Sequence, residues 1–219
     1  MAARIVYAQE LENLTNNVSK MGELIEISIN KVMDNIHTLD VEVAKEIIAS
    51  DDEIDKLEEE IQKECISLIA KEAPVAKDLR KIVSIMRMIA DIERIADHCS
   101  DISEYVIYLA EKEPMAPPSE INQMFLEMKA MVHDTISSFV KFNVERAERV
   151  IKRDDIIDNY FEQLKEELCE TMEKNPKLLR QCVDYLMIIK YVERMADHSA
   201  NIARWIPFIV NGELDLQQQ

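Results

Sequence analysis

The chain has 219 residues, 47% of them hydrophobic, and a formal net charge of −17. This length suffices for one large core or two small ones, and the charge argues against nucleic-acid binding, because affinity for phosphodiester backbones comes mainly from clustered Lys and Arg. The sequence has no run of 18 apolar residues and its first 20 residues lack a signal-peptide profile. We therefore expect a cytoplasmic protein that is at most peripheral to a membrane.

Helix-forming residues dominate the composition, and the chain contains only two glycines, which favours long helices. Six helices are predicted. In chain order they span about residues 4–37, 40–71 (with Asp40 as the cap), 75–111, 120–142, 144–174 and 177–209. All six prolines are assigned to places where helices begin, end or connect, Pro207 among them. The four cysteines lack CxxC spacing and are interpreted as reduced core thiols: Cys65, Cys99, Cys169 and Cys182.

The proline-rich segment near the middle of the chain predicts a division into two halves. Residues 1–113 form the first half, residues 119–219 the second, and residues 114–118 the linker. Each half contains three long helices joined by short turns, which is typical of an antiparallel bundle. The predicted fold is therefore all-α, with two tandem antiparallel three-helix bundles related by a pseudo-twofold repeat.

A repeat supports this division and points to a site. Residues 93–98 and 193–198 differ at one position and begin 100 residues apart, and each run carries two carboxylates four residues apart, on one helical face. An earlier helix of each half carries a second pair of the same spacing. The candidate metal ligands are Asp51, Asp55, Glu93 and Asp97 in the first half and Asp154, Asp158, Glu193 and Asp197 in the second.

The position of each turn predicts that the two pairs of a half lie level with each other. Antiparallel helices rise equally per residue, so positions equally far from their turn share one height. The midpoint between the centres of the first-half pairs, residues 53 and 95, is Pro74. In the second half the midpoint falls between Asn175 and Pro176, again at the predicted turn. The pairs of each half either face one shared groove or both turn away from it, and rotation about the helix axes does not decide between these arrangements.

If the pairs face inward, four carboxylates share a groove and a bound cation would offset their repulsion. All-oxygen ligand sets suit Mg²⁺, Ca²⁺, Mn²⁺ or iron, and acidic pairs on facing helices resemble carboxylate-bridged clusters. Iron, manganese or zinc is the order we expect, with magnesium or calcium as further candidates. The alternative is that the acids are solvated helix faces neutralised by nearby basic side chains.

Three neighbouring residues qualify this prediction. His98 and His198 directly follow the motif aspartates and point about 100° away from them, so supporting roles are favoured over direct ligation. Asp101 extends the first acidic row by another turn and joins the candidate ligands, whereas Asn201 stands at the equivalent place. Neither motif glutamate has a histidine three residues later, which argues against a ferritin-like oxidase. No nucleophile–base arrangement is visible.

These residues resemble the PhoU family of bacterial phosphate-uptake regulators over essentially the whole chain. The tandem repeats of that family carry a Glu/Asp-x-x-x-Asp motif on two helices of each half. Its Glu-Arg-Ile-Gly-Asp-His run, followed by Asn-Ile-Ala, corresponds here to residues 193–198 and 201–203. Ala96 and Ala196 replace the common glycine, and Asp101-Ile102-Ser103 replaces Asn-Ile-Ala in the first half.

The resemblance implies a non-catalytic, metal-binding regulatory adaptor of phosphate homeostasis that represses high-affinity phosphate uptake and the phosphate-starvation response. Its implied partners are the ATP-binding subunit of the phosphate ABC transporter and a sensor histidine kinase, and its metal sites can be multinuclear. A homodimer is expected. The alternatives are a carboxylate-bridged metalloenzyme, either a phosphatase or an oxidase, and a purely structural helical scaffold.

Overall fold

The computed structural model of the protein describes residues 2–113 and 115–212, and six α-helices account for most of them. Pro114 of the predicted linker and the chain ends, residues 1 and 213–219, lie outside the described residues. A 3₁₀ turn at Pro176–Leu178 precedes the last helix. The helices are α1 (Ala2–Thr38), α2 (Val41–Glu72), α3 (Ala76–Ala110), α4 (Ile121–Lys141), α5 (Val144–Lys174) and α6 (Leu179–Asn211).

The helices form two three-helix bundles that share one core. Helices α1, α2 and α3 pack together in the first bundle, α4, α5 and α6 in the second, and the bundles meet where α3 packs against α6 and α1 against α4. The apolar stripes of all six helices join a single hydrophobic cluster. The predicted all-α fold of two tandem bundles is confirmed.

Side-chain caps begin two of the helices, α2 and α5, after short turns. Asp40 begins α2, where its side chain accepts hydrogen bonds from the N–H groups of Glu42 and Val43, and Asn143 caps α5 through the N–H of Arg146 at 2.9 Å. Ala73 ends α2 with φ of 42°, so the chain reverses within a few residues and α3 runs back along α2. Such side-chain caps satisfy N–H groups that a helix leaves unpaired at its first turn.

A close approach between the bundles explains one of the two glycines. A Cβ atom at Gly22 of α1 would lie 2.8 Å from the Ile136 side chain of α4, closer than two carbon atoms can pack. Glycine therefore lets the two helices approach. The other glycine, Gly212, has φ of 81° and ends α6 in the left-handed conformation that glycine adopts without strain.

Two predictions about single residues are wrong. Pro207 lies inside α6, which continues to Asn211. A proline so close to the helix end removes only one late backbone hydrogen bond, and the buried residues Ile206 and Ile209 on either side of it keep this last turn packed. Cys169 is exposed whereas the other three cysteines are buried, because it follows the buried Leu168 and is rotated by about 100° from it.

None of the helices within the described residues combines the length and apolar character that a membrane-spanning segment needs.

Candidate metal centre

The first-half carboxylates meet between α2 and α3, and we call Asp51, Asp55, Glu93 and Asp97 the N-half acidic site. One oxygen atom each from Asp51, Asp55 and Asp97 lies within 4.8 Å of the others. The α2–α3 turn brings the two pairs level, as the midpoint at Pro74 predicts. The sequence left two orientations open, and the structure selects the one in which the acids face each other.

Asp51 is the deepest member of this site. Its Oδ2 atom accepts a hydrogen bond from the Ser100 hydroxyl at 3.1 Å, and its Oδ1 atom is buried without a hydrogen-bond partner among the described residues. A buried carboxylate oxygen without a partner is costly. A cation at this position would satisfy it.

Burial and mutual repulsion disfavour the ionised acids. Burial raises the pKa of Asp51 to about 6, with Asp97 and Asp55 adding to the effect and the Ser100 hydrogen bond opposing it. Burial, followed by the charge of Asp97, also raises the pKa of Asp55 and of Glu93. Removing protons from this site is thus unfavourable unless positive charge is supplied.

Arg94 supplies part of that charge from the solvent side. Its Nη1 atom lies 2.5 Å from Asp97 Oδ2 and its Nε atom 3.4 Å from Glu93. The Arg94 side chain is 58% exposed, so solvent weakens its attraction to the acids. Arg94 therefore does not compensate the buried oxygen of Asp51.

The second-half carboxylates, Asp154, Asp158, Glu193 and Asp197, form the C-half acidic site between α5 and α6. Burial raises the pKa of Asp154 to about 6, and the charges of Asp197 and Asp158 add to this effect. Burial and then the charge of Glu193 raise the pKa of both Asp158 and Asp197. The four acids therefore act on one another across α5 and α6, as their counterparts do across α2 and α3.

Lys190 distinguishes the C-half acidic site from its counterpart. Lys190 lies 2.5 Å from Glu193 and Arg194 lies 3.6 Å from Asp197. Position 90, the equivalent of Lys190, is alanine. Among the residues that the structure describes, the three-carboxylate cluster within 4.8 Å occurs only in the N-half acidic site.

Both motif histidines lie at the interface between α3 and α6. Their ring centroids are 5.6 Å apart. His98 Nδ1 is 3.0 Å from Asp101, and His198 Nδ1 is 2.8 Å from Asp91. Asp101 thus pairs with His98 and stands apart from the three-carboxylate cluster. These contacts favour the supporting role predicted for the histidines.

Asp91 is the residue at this interface that the sequence pattern did not reveal. Its partner His198 is 107 positions away, and the equivalent of Asp91 in the second half is Tyr191. Tyr191 instead packs on His98, with ring centroids 5.2 Å apart. The repeat carried no signal for this pair, because the register between α3 and α6 depends on how the bundles pack.

The donor set of the N-half acidic site suits a hard or borderline cation. It offers several carboxylate oxygens, one of them buried and unpartnered, and such oxygens are the ligands that magnesium, calcium, manganese and iron accept. Ala96 and Ala196, where the resemblance predicts glycine, are both buried in the core. Their methyl groups face the packed helices and leave the carboxylates free to meet.

Comparison with known proteins assigns this chain to a family. The model of the PhoU domain matches the chain twice, over residues 18–106 and 121–206. The chain belongs to the PhoU family. One match lies in each predicted half, and each PhoU match contains one acidic site.

Individual PhoU relatives match the chain at nearly full length. It is 36% identical to the phosphate-specific transport system accessory protein PhoU homolog of Aquifex aeolicus, covering 85% of this chain and 84% of the relative. The corresponding homolog of Clostridium acetobutylicum is 31% identical, with 96% of each chain covered. The crystal structure of PhoU from Pseudomonas aeruginosa superposes with a TM-score of 0.91 at 27% identity, covering 94% of this chain and 100% of that one.

Proposed function

We propose that the protein is a metal-binding regulatory adaptor of phosphate transport that acts in the cytoplasm. The observation that carries the metal assignment is the N-half acidic site, where one oxygen atom from each of three carboxylates lies within 4.8 Å of the others and Asp51 has a buried oxygen without a partner among the described residues. The regulatory assignment draws on family membership, since the relatives are named accessory proteins of the phosphate-specific transport system. Iron, manganese and zinc are the first candidate ions, and magnesium and calcium follow.

The N-half acidic site is the tighter cation site in this proposal. The C-half acidic site already has Lys190 and Arg194 beside its carboxylates, and an entering cation must compete with these side chains. In the N-half acidic site the exposed Arg94 is the one basic residue, within the described part of the chain, that forms an ion pair with the acids. The protein supplies the ligands and the buried setting, and the cation supplies a charge that holds α2 and α3 together.

The regulatory role is negative: when phosphate is ample, the adaptor restrains high-affinity uptake and the phosphate-starvation response. Its proposed partners are the ATP-binding subunit of the phosphate ABC transporter and the sensor histidine kinase. The net charge of −17 favours docking on basic patches of such partners. A homodimer is the proposed assembly, and the exposed apolar residues Ile27 on α1 and Leu126 on α4 support it.

A non-catalytic role agrees with the surroundings of the acids. A metalloenzyme needs a general acid or base beside the reacting group, and the two histidines nearest the motifs are engaged elsewhere. His98 pairs with Asp101, and His198 with Asp91 across the bundles. The first contact lies within α3, whereas the second joins α6 to α3 and supports an interface role for His198.

Two variants with the same change of charge test the proposal. Asp51→Asn removes a charge from the N-half acidic site, whereas Glu53→Gln removes one from an exposed position on the same helix. We expect Asp51→Asn to lower the metal content of protein purified without chelator and to release phosphate uptake from repression in phosphate-replete cells. Glu53→Gln should change neither. Unchanged metal content and unchanged uptake in the Asp51→Asn variant would reject the proposal.

A further inference from the structure

A groove of about 810 Å³ lies beside the N-half acidic site, between α2, α3 and α6. Asp55 and Glu93 contribute to its acidic wall, and Trp205 comes from α6 on the opposite side. This volume is within the range of pockets that hold small organic ligands. We call it the arginine groove, after Arg87 and Arg204, which also line it.

These two arginines are available to an anion. Neither makes an ion pair within 4.0 Å with a carboxylate among the described residues, although Arg94 in the same groove does. Arg87 is exposed. Arg204 donates to the Asn201 side chain at 2.5 Å, and its charge is close enough to lower the pKa of Asp154. Guanidinium groups bind phosphate oxygens in a bidentate geometry.

Trp205 adds an aromatic surface to the same groove. It is the only tryptophan of the chain, is half-buried, and meets Phe208 edge-on at a centroid distance of 5.9 Å. That contact orients the indole ring. Large aromatic side chains in grooves are surfaces on which nucleobases stack.

The two halves of the repeat do not share these side chains. The acidic motif recurs 100 residues later, but at the same offset Arg87 corresponds to Met187. Arg204 corresponds to Glu104 and Trp205 to Tyr105. The equivalent positions in the other half therefore carry no arginine, and one of them has the opposite charge. Core packing and solubility are needed in both halves alike, so these needs do not explain why the residues differ.

The charges of the groove require a cation for anion binding. Five carboxylates line it against three arginines, so an isolated phosphoanion is repelled overall. A divalent cation on the acidic wall offsets that excess of negative charge and leaves the arginines free to attract phosphate oxygens. A polyphosphate that bridges the cation and the arginines would use both walls at once.

We propose that the arginine groove binds a nucleoside polyphosphate together with a divalent cation. The acidic wall holds the cation, Arg87 and Arg204 bind the phosphates, and Trp205 stacks on the base. The proposal rests on the cation site of the proposed function and adds a ligand to it. A bound nucleotide would change the surface that α3 and α6 present to a partner.

The fluorescence of Trp205 provides a direct measure of nucleotide binding. Full-length protein loaded with Mn²⁺ is titrated with ATP while tryptophan fluorescence and heat are recorded. We expect saturable quenching with one ATP per chain, and at least about tenfold weaker binding of inorganic phosphate, which cannot stack. Arg87→Ala and Arg204→Ala should each weaken ATP binding by about tenfold or more, the value expected for losing a charged hydrogen bond. Arg149→Ala, at an exposed position on α5, is the matched control and should bind ATP normally.

Several results would overturn the nucleotide proposal. They are the absence of ATP binding to Mn²⁺-loaded protein, equal affinity for ATP and inorganic phosphate, unchanged affinity in both arginine variants, and undiminished binding after EDTA treatment. Elemental analysis of the same sample separates the two proposals. Protein that holds Mn²⁺ but ignores ATP rejects the nucleotide and leaves the cation site intact, whereas protein that takes up no Mn²⁺ rejects the cation site itself.

Discussion

The two halves of the molecule share one scaffold but balance its acidic charge differently. Each half places four carboxylates between its second and third helices, and burial raises the pKa of Asp51 in one half and of Asp154 in the other to about 6. In the C-half acidic site Lys190 lies beside Glu193, whereas the N-half acidic site has a buried oxygen of Asp51 without a partner. The two halves thus share the placement of four acids on two helices, but among the described residues only the N-half acidic site brings three carboxylate oxygens within 4.8 Å of one another. The C-half acidic site is already partly neutralised by Lys190.

The largest effect is expected on the free energy of unfolding, for variants that test whether the two halves contribute equally to the core. Ile89 and Ile189 are equivalent residues on α3 and α6 and are both fully buried. Replacing either with alanine should lower the free energy of unfolding by about 2–5 kcal/mol. Ile66→Ala, on the exposed face of α2, should change it by less than about 0.5 kcal/mol.

Urea denaturation of the three variants measures these values. Equal losses for Ile89→Ala and Ile189→Ala would agree with one shared core, in which neither bundle is the weaker. A loss confined to one of the two variants would show that the halves differ in packing as well as in charge.

A smaller effect is expected on the pH dependence of the stability of metal-free protein. The pKa of Asp51 is raised to about 6 in the folded chain from an ordinary value of 3.8, so the folded state binds this proton more tightly than the unfolded state does. Stability should therefore fall as pH rises from about 4 to 6 and stay low above that range. Asp51→Asn should remove part of this slope and stabilise metal-free protein at pH 7 by about 1 kcal/mol, since partial exposure weakens the effect, or about 2–4 °C in Tm.

Thermal melts in EDTA at pH 5 and pH 7 check this expectation, with Glu53→Gln as the control at an exposed position. Saturating Mn²⁺ should reverse the order of the wild type and Asp51→Asn at pH 7, because only the wild type gains the full binding energy of the cation. If Asp51→Asn destabilised the metal-free protein at pH 7, the cost of burying the ionised carboxylate, with the smaller repulsion from its acidic neighbours, would not dominate at this position.

The smallest effect is expected for a variant that makes the two acidic sites more alike. Lys190→Ala reproduces the alanine found at position 90 and frees Glu193 from its ion pair at 2.5 Å. Cation affinity of the C-half acidic site should rise severalfold, because a pair at this partly exposed position is worth about 1 kcal/mol or less. Calorimetry with Mn²⁺ measures the change. Weaker binding in Lys190→Ala would mean that the lysine supports the site.

Much of this architecture was predictable because it depends on local rules. Composition and the placement of prolines predicted six long helices, and the described residues contain six α-helices. The turn at Pro74 brought the acidic pairs level, since two helices joined by a tight turn have a fixed register. The domain limits, the identity of the metal and the partners stay predictions.

What sequence reasoning missed depends on contacts between the bundles. The pairing of Asp91 with His198 and the assembly of Arg87 with Arg204 and Trp205 in one groove need the packing of α3 on α6, which no turn specifies. The two wrong predictions about single residues have causes close to those residues. Pro207 was tolerated near a helix end that is still packed, and Cys169 was rotated out of the core by a single residue step.

The two acidic sites should differ in their affinity for a cation, and one titration measures this difference. Metal-free wild type, Asp97→Asn and Asp197→Asn are titrated with Mn²⁺ by calorimetry. We expect Asp97→Asn to weaken the tightest binding event by at least about tenfold, and Asp197→Asn to leave this event unchanged. Loss of the tightest event in Asp197→Asn, with normal binding in Asp97→Asn, would contradict this expectation.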